Sequence, residues 1–183
     1  MSVPEIFRYW LQGGRVDIGF LGAAQIDRFG NLNTTVIGGT YDSPRVRLPG
    51  AGGAPEIATS AKEVAIILKQ SRKAFVEKLD FVTTSGYFDE PTGNRREPAR
   101  GRGPTTVITD LGVMVSHPRT NELVQAMLHP GVTVQQVKDA TGWNLKVAAD
   151  LQTTPEPTPA ELHALRDLHA RTAAAHGSAA NSE

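Results

Sequence analysis

The groups best placed for chemistry in this chain are backbone amides supplied by glycine. Leu48 to Ala54 reads LPGAGGA, and Gly22 to Asn33 reads GAAQIDRFGNLN. Glycine reaches positive φ and lets other atoms approach the backbone, so Gly50, Gly52 and Gly53 can turn several N–H groups toward one point. Such a point holds an oxyanion or a phosphate. The order is not the GxGxxG of a dinucleotide fold, and no GxxxxGK[ST] loop occurs, so nucleotide hydrolysis is not supported. A lone GxGG also occurs in ordinary turns. What favours a ligand is the second loop, because ligands in open α/β sheets sit at the carboxyl ends of strands. There Gln25, Asp27, Arg28, Asn31 and Asn33 can shape a substrate pocket or contact a carboxylate. Asp27 and Asn31 suit a plain turn equally well.

Other chemistries find little support. The 183 residues contain no cysteine, which removes disulfides, a thiol nucleophile and thiolate metal ligands. The five histidines form no HExxH pair, so they read as surface or packing residues and no metal is expected. Nineteen basic and nineteen acidic residues balance to a formal net charge of zero, which favours neither nucleic acid nor an anionic membrane as partner. No apolar run has the length of a membrane span, and Met1 to Gly14 lacks the basic-then-apolar order of a signal peptide. A cytoplasmic location is the expectation.

The elements that must position these loops follow from hydrophobic periodicity. Arg15 to Gly22 alternates Val16, Ile18 and Phe20 with Asp17 and Gly19, a strand running into the first loop. Glu63 to Leu68 is a short apolar run, as in a strand buried on both faces. Phe75 to Val82 is read as a further strand, although its pattern mixes periods. Phe88 to Pro104, rich in arginine, glycine and proline, is read as a surface loop. Thr105 to Thr109, Gly112 to Ser116 and Glu122 to Leu128 are β-rich runs separated by turn signals, which predicts an antiparallel meander. Thr133 with Gln136 marks a capping box, for a helix ending near Gly142. Thr158, Pro159 and Glu161 mark another, opening a helix whose Leu162, Leu165 and Leu168 form a face to bury. One domain over residues 1–175 is expected, with a disordered tail over 176–183.

Four blocks in order, VDIGFLGAAQIDRFGNLNTT, LPGAGGAPEIA, FVEKLDFVT and VITDLGV with LHPGVTVQQVKDATGW, resemble the β-type subunit of family I coenzyme A transferases. The nearest likeness is to the glutaconate and 3-oxoadipate type, from Val3 to about Trp143. The resemblance implies an α/β fold: a mainly parallel, helix-flanked sheet with an antiparallel β-rich C-terminal portion. It also implies an α-type partner subunit, acyl-CoA and carboxylate substrates, coenzyme A as substrate and no further cofactor. In this family a glutamate attacks the acyl-CoA thioester, and CoA is then carried as a glutamyl thioester to an acceptor carboxylate. Each addition passes through an oxyanion, whose donors contribute about 3 kcal/mol apiece. The GAGGA loop resembles the family's oxyanion and CoA-contact loop, which assigns Gly50, Gly52, Gly53 and Ala54 to that role.

The family's glutamate lies in a Glu-Ser/Asn-Gly triplet upstream of the position matching Val3, and no such triplet occurs in these residues. The expectation is a chain shortened at its N-terminus and inactive alone. Glu56 is the nearest substitute, though it reads as a first-turn helix residue. Glu77 is expected to pair with Lys78 or Arg72, or to face a partner. A shortened chain would also leave Val16, Ile18, Phe20, Val64, Ile66 and Leu68 short of cover. Two other functions fit the same residues: a CoA-thioester hydrolase component of the steroid-ring catabolism type, and a non-catalytic, partner-binding paralogue.

Overall fold

A computed structural model describes residues 2–89, 94–95 and 101–179. A single α turn, α1 (Val3–Glu5), continues into a π-helical turn over Ile6–Leu11. Twelve short strands and three more helices follow: β1 (Ile18–Leu21), β2 (Gln25–Ile26), β3 (Leu32–Asn33), β4 (Val36–Gly39), β5 (Pro44–Arg47), α2 (Ala54–Ser60), β6 (Glu63–Ile67), β7 (Phe88–Asp89), β8 (Asn94–Arg95), β9 (Pro104–Ile108), β10 (Gly112–Ser116), β11 (Leu123–Leu128), α3 (Val134–Asp139), β12 (Lys146–Thr153) and α4 (Pro159–Ala179).

Six strands form one mixed sheet in the order β1-β6-β9-β10-β11-β12. β1, β6 and β9 run parallel, β9 to β11 form the expected antiparallel meander, and β12 returns parallel to β11. Register decides what each face carries, because residues directly opposite one another share a face. Leu21, Ile66, Val107 and Met114 make one row across four strands, and all four are buried. The row one residue back, Phe20, Ala65, Thr106 and Val115, lies on the other face. Phe20 there is 64% exposed and Val115 38%. The buried row faces the core with Ile26, Leu32, Phe75, Val137 and Trp143. Helix α2 lies directly on β1: a Cβ on Gly19 would sit 2.4 Å from Ile57 Cγ2 and 3.2 Å from Ala61 Cβ, so this crossing needs glycine.

Strand β6 agrees with its sequence signature, since Val64, Ala65 and Ile66 are buried in succession. The expectation of uncovered apolar residues holds for Ile18 and Phe20 but not for Val64 and Ile66, which α2 and the core enclose. Ile67, at the end of β6, is exposed as well. β1 is an edge strand with an open row of backbone groups. Phe20→Glu is therefore expected to shift the 183-residue chain toward smaller species in size-exclusion chromatography with light scattering. An unchanged profile would show that this face does not drive self-association.

Phe75 to Val82 is not a strand. Phe75 makes a single bridge to Ile26, and its ring is buried against Trp143 with centroids 5.8 Å apart. Beyond Val76, whose N–H donates to Ile26 O, the chain bends away from β2. The mixed period reflects one buried anchor followed by a turn. The segment Phe88 to Pro104, read as a surface loop, contains the β7–β8 ladder, pairing Phe88 with Arg95 and Asp89 with Asn94, and ends with Gly103 and Pro104 buried; its residues 90–93 and 96–100 lie outside the described residues. Strand β12 carries no signal of its own, because KVAADLQT shows no alternation and as an edge strand it buries little.

Both capping boxes form. Thr133 Oγ1 accepts from Gln136 N at 3.3 Å while Gln136 Oε1 accepts from Thr133 N at 2.8 Å, and α3 ends at Ala140. At α4, Glu161 Oε2 accepts from Thr158 N at 2.8 Å and from Thr158 Oγ1 at 2.7 Å. Two expectations for α4 need correcting. The helix continues to Ala179, so residues 176–179 are helical, and 180–183 lie outside the described residues. Its expected apolar face is also not buried as a whole: Leu162 is half-buried, while Leu165 and Leu168 are 49% and 52% exposed. The backbone N–H of Thr158, and secondarily its hydroxyl, hold the Glu161 carboxyl below its ordinary range. A depressed carboxyl contributes stability above its unfolded-state pKa and loses it as pH falls through the folded value. Helix α4 should therefore fray from its N-terminus only in acid, and Thr158→Ala should move the Glu161 titration upward. An NMR titration of the Glu161 side chain showing no shift in that variant would remove the cap from the argument.

Candidate functional site

The GAGGA loop leaves β5 and enters α2, and three contacts fix it. Gly50 N–H donates to Thr34 O at 2.9 Å, Thr34 Oγ1 donates to Gly50 O at 2.8 Å, and Leu48 N–H donates to Thr35 O at 2.9 Å. Thr34 and Thr35 are themselves tied to Thr83 Oγ1, at 2.9 Å from Thr34 N and 2.6 Å from Thr35 Oγ1. Gly50 and Gly52 adopt φ of 99° and 50°, and a Cβ on either would meet nothing within 4 Å. The loop thus presents a backbone that only glycine holds without strain, facing open space.

The expected donors divide. Gly50 N–H is taken by Thr34, and Ala54 N–H donates to Ala51 O at 3.0 Å as the loop turns into the helix. Both of these amides are engaged within the protein. The N–H groups of Gly52 and Gly53 have no protein acceptor among the described residues. Gly53 is backed by Phe7, whose Cζ would lie 2.3 Å from an added Cβ. Glu56, in the first turn of α2, is held on both sides: its Oε1 accepts from Gln12 Nε2 at 3.0 Å and Ser60 Oγ at 3.1 Å. That is a structural carboxylate. Glu77 makes none of the ion pairs found among the described residues, contrary to its expected pairing with Lys78 or Arg72.

Gln25, Asp27, Asn31 and Asn33 are all buried, and they cluster. They lie within and between β2 and β3, a small antiparallel ladder hidden in what reads as loop sequence. Asp27 Oδ1 accepts from Phe29 N and Asn31 N, and Asp27 Oδ2 accepts from Asn31 Nδ2 at 2.7 Å, the pattern of an Asx turn. Asn31 Oδ1 accepts from Gly86 N at 2.7 Å. Asn33 Nδ2 donates to Gln25 Oε1 and Val36 O, while Asn33 Oδ1 accepts from Thr35 N and Val36 N. Gln25 and Asn33 therefore brace the segment that carries Thr34 and Thr35, and through it the glycine loop. Asp27 and Asn31 in addition line a 310 Å³ cavity together with residues 78–82.

Sequence reasoning missed Asp80, whose Oδ2 accepts from both Gln25 Nε2 and Gly38 N at 3.0 Å. FVEKLD reads as a strand, and that reading hides a carboxylate placed by a turn. Phe7 and the Thr34–Thr83 clamp carry no local signal, since their partners are distant in sequence. Among the described residues no group of three or more His, Asp or Glu side chains could hold a metal ion, and no helix is long and apolar enough to cross a membrane.

The family model described as Coenzyme A transferase matches residues 2–140. This chain belongs to the coenzyme A transferase family. Over 173 residues it is 59% identical to the B-type subunit of the 3-oxoadipate CoA-transferase of Pseudomonas knackmussii, covering 94% of this chain and 66% of that protein. The crystal structure of glutaconate coenzyme A-transferase from Acidaminococcus fermentans superposes with a TM-score of 0.75 at 35% identity, over 88% of this chain and 61% of the other. The cholesterol ring-cleaving hydrolase IpdB subunit of Rhodococcus jostii is 32% identical over 149 residues, 81% of this chain and 57% of that one. The chain thus spans under two thirds of the length of these relatives. The mixed α/β sheet is the fold this coenzyme A transferase chain shares with them.

Proposed function

We propose that this chain is the B-type portion of a heteromeric coenzyme A transferase that moves CoA between an acyl-CoA and a dicarboxylic or 3-oxo acid. The observation that carries the reading is the glycine loop, where the N–H groups of Gly52 and Gly53 have no protein acceptor among the described residues, in a chain 59% identical to the B-type subunit of a 3-oxoadipate CoA-transferase. Two fixed amides suit the oxyanion that forms whenever a carboxylate adds to a thioester carbonyl or the reverse. They need no rearrangement at the moment of reaction, because Thr34, Thr35 and Phe7 already hold the loop.

In this reading the nucleophilic carboxylate is not Glu56, Glu63 or Glu122. Glu56 is bonded to Gln12 and Ser60, Glu63 to Arg102, and Glu122 to Lys146. An α-type subunit completes the site, and CoA is the only carrier the chemistry requires. The test is to produce the chain from its gene with any in-frame upstream codons and an α-type partner, then follow CoA exchange between an acyl-CoA and 3-oxoadipate. Acceptor-dependent formation of a new CoA thioester is expected, with none from the 183 residues alone. Release of free CoA without an acceptor would instead assign the hydrolase, and an inert complex that still assembles would assign a partner-binding paralogue.

A further inference from the structure

Arg28 is the one site residue whose chemistry the foregoing leaves unused. It follows Asp27 in the turn between β2 and β3, and its carbonyl accepts from Leu123 N at 2.7 Å, which anchors the turn to β11. The guanidinium lies over the Phe29 ring, 5.3 Å from its centroid. Its Nε is fully buried and has no acceptor, and the side chain joins no hydrogen bond or ion pair among the described residues. It lines a cavity of 260 Å³ together with Glu122, Leu123, Trp143, Asn144 and Lys146. That cavity shares no lining residue with the one at Asp27.

Among the described residues no carboxylate pairs with Arg28. Glu122 is the carboxylate that lines the cavity, and it is paired with Lys146. Asp27, the neighbour in sequence, turns its oxygens back to Phe29 N, Asn31 N and Asn31 Nδ2. A buried guanidinium N–H is ordinarily paired, because an unmet donor loses its water without compensation. The planar fork of arginine matches two oxygens of a carboxylate or phosphate, and the aromatic face beneath it keeps that fork in place. Asn144 adds a neutral donor at the rim. We infer that the cavity formed by Arg28, Trp143 and Asn144 is a binding site for a small oxyanion, a carboxylate or a phosphate, held bidentately by Arg28.

Trp143 gives the site its own optical reporter. Only two tryptophans occur, and Trp10 is exposed on the N-terminal turn, so Trp10→Phe leaves Trp143 as the single emitter. The 183-residue chain carrying that change is titrated with succinate and separately with inorganic phosphate, at constant ionic strength set by sodium chloride. A saturable change in Trp143 emission is expected with at least one of them, and the arm that saturates at lower concentration identifies the oxyanion. Arg28→Met should weaken that binding at least tenfold. Arg28→Lys keeps the charge without the fork, so it should also bind more weakly while its thermal melt stays that of the parent, which covers the case in which Arg28→Met fails to fold. A response reproduced by chloride alone, no saturation with either anion, or equal binding in both Arg28 variants would overturn the site.

Discussion

Replacing Asn33 by leucine is expected to destabilise the fold by about 3–5 kcal/mol, since up to four buried partners lose their hydrogen bond and each unmet group costs about 1–3 kcal/mol. Asn33 is fully buried and bonds Gln25 Oε1 at 2.8 Å, Val36 O at 2.7 Å, Thr35 N at 3.0 Å and Val36 N at 3.3 Å. Leucine keeps the branched shape of asparagine but is bulkier, so overpacking adds to the loss of hydrogen bonds. Urea denaturation should show a lower midpoint with an unchanged slope. A loss below about 1 kcal/mol would mean that neighbouring groups re-pair, and that the network is less singular than its geometry indicates.

The second expected result concerns turnover. Gly52→Val places a branched side chain where the structure leaves open space, beside the two unpaired amides, at a φ of 50°. Holding a residue with a Cβ in that conformation costs about 1–2 kcal/mol. Loss of one aligned oxyanion donor typically lowers turnover about 100-fold or more. In the active complex the variant should therefore lose about 100-fold in kcat with a modest fall in melting temperature. Gly52 separates these effects better than Gly53 does. At Gly53 an added Cβ strikes Phe7, so a loss of activity there would mix loop packing with donor geometry. Unchanged rates in Gly52→Val would reduce the loop to a turn.

What the sequence showed and what it hid divide along a physical line. The meander β9 to β11, the buried strand β6 and both capping boxes are legible because each is written in residues close together: an apolar run, a turn signal, a threonine three residues ahead of its partner. The helix-terminal signals at Thr133 and Thr158 hold to the atom. The roles of Gln25 and Asn33 are not legible. A polar side chain in a glycine-rich loop suits a ligand or a scaffold equally well, and only partners such as Asp80 and Val36 decide for the scaffold. The same holds for Ala54, whose amide is lost to Ala51 once the loop turns. Phe75 misleads because its burial comes from Trp143, far along the chain, rather than from a ladder.

The mixed direction of the central sheet also orders its assembly in time. The antiparallel strands from Pro104 to Leu128 are joined by short turns, so each pairing closes a small loop. The parallel pairs are different: β1 to β6 brings residue 18 to residue 63, and β6 to β9 brings residue 64 to residue 104. Loop-closure entropy must be met before such distant pairs contribute, which makes them slow. Substitutions in the meander, such as Val107→Ala or Met114→Ala, should therefore slow refolding, whereas Leu21→Ala in β1 should chiefly speed unfolding. The chain would then add β1, the strand on which α2 lies, last, on a sheet already standing.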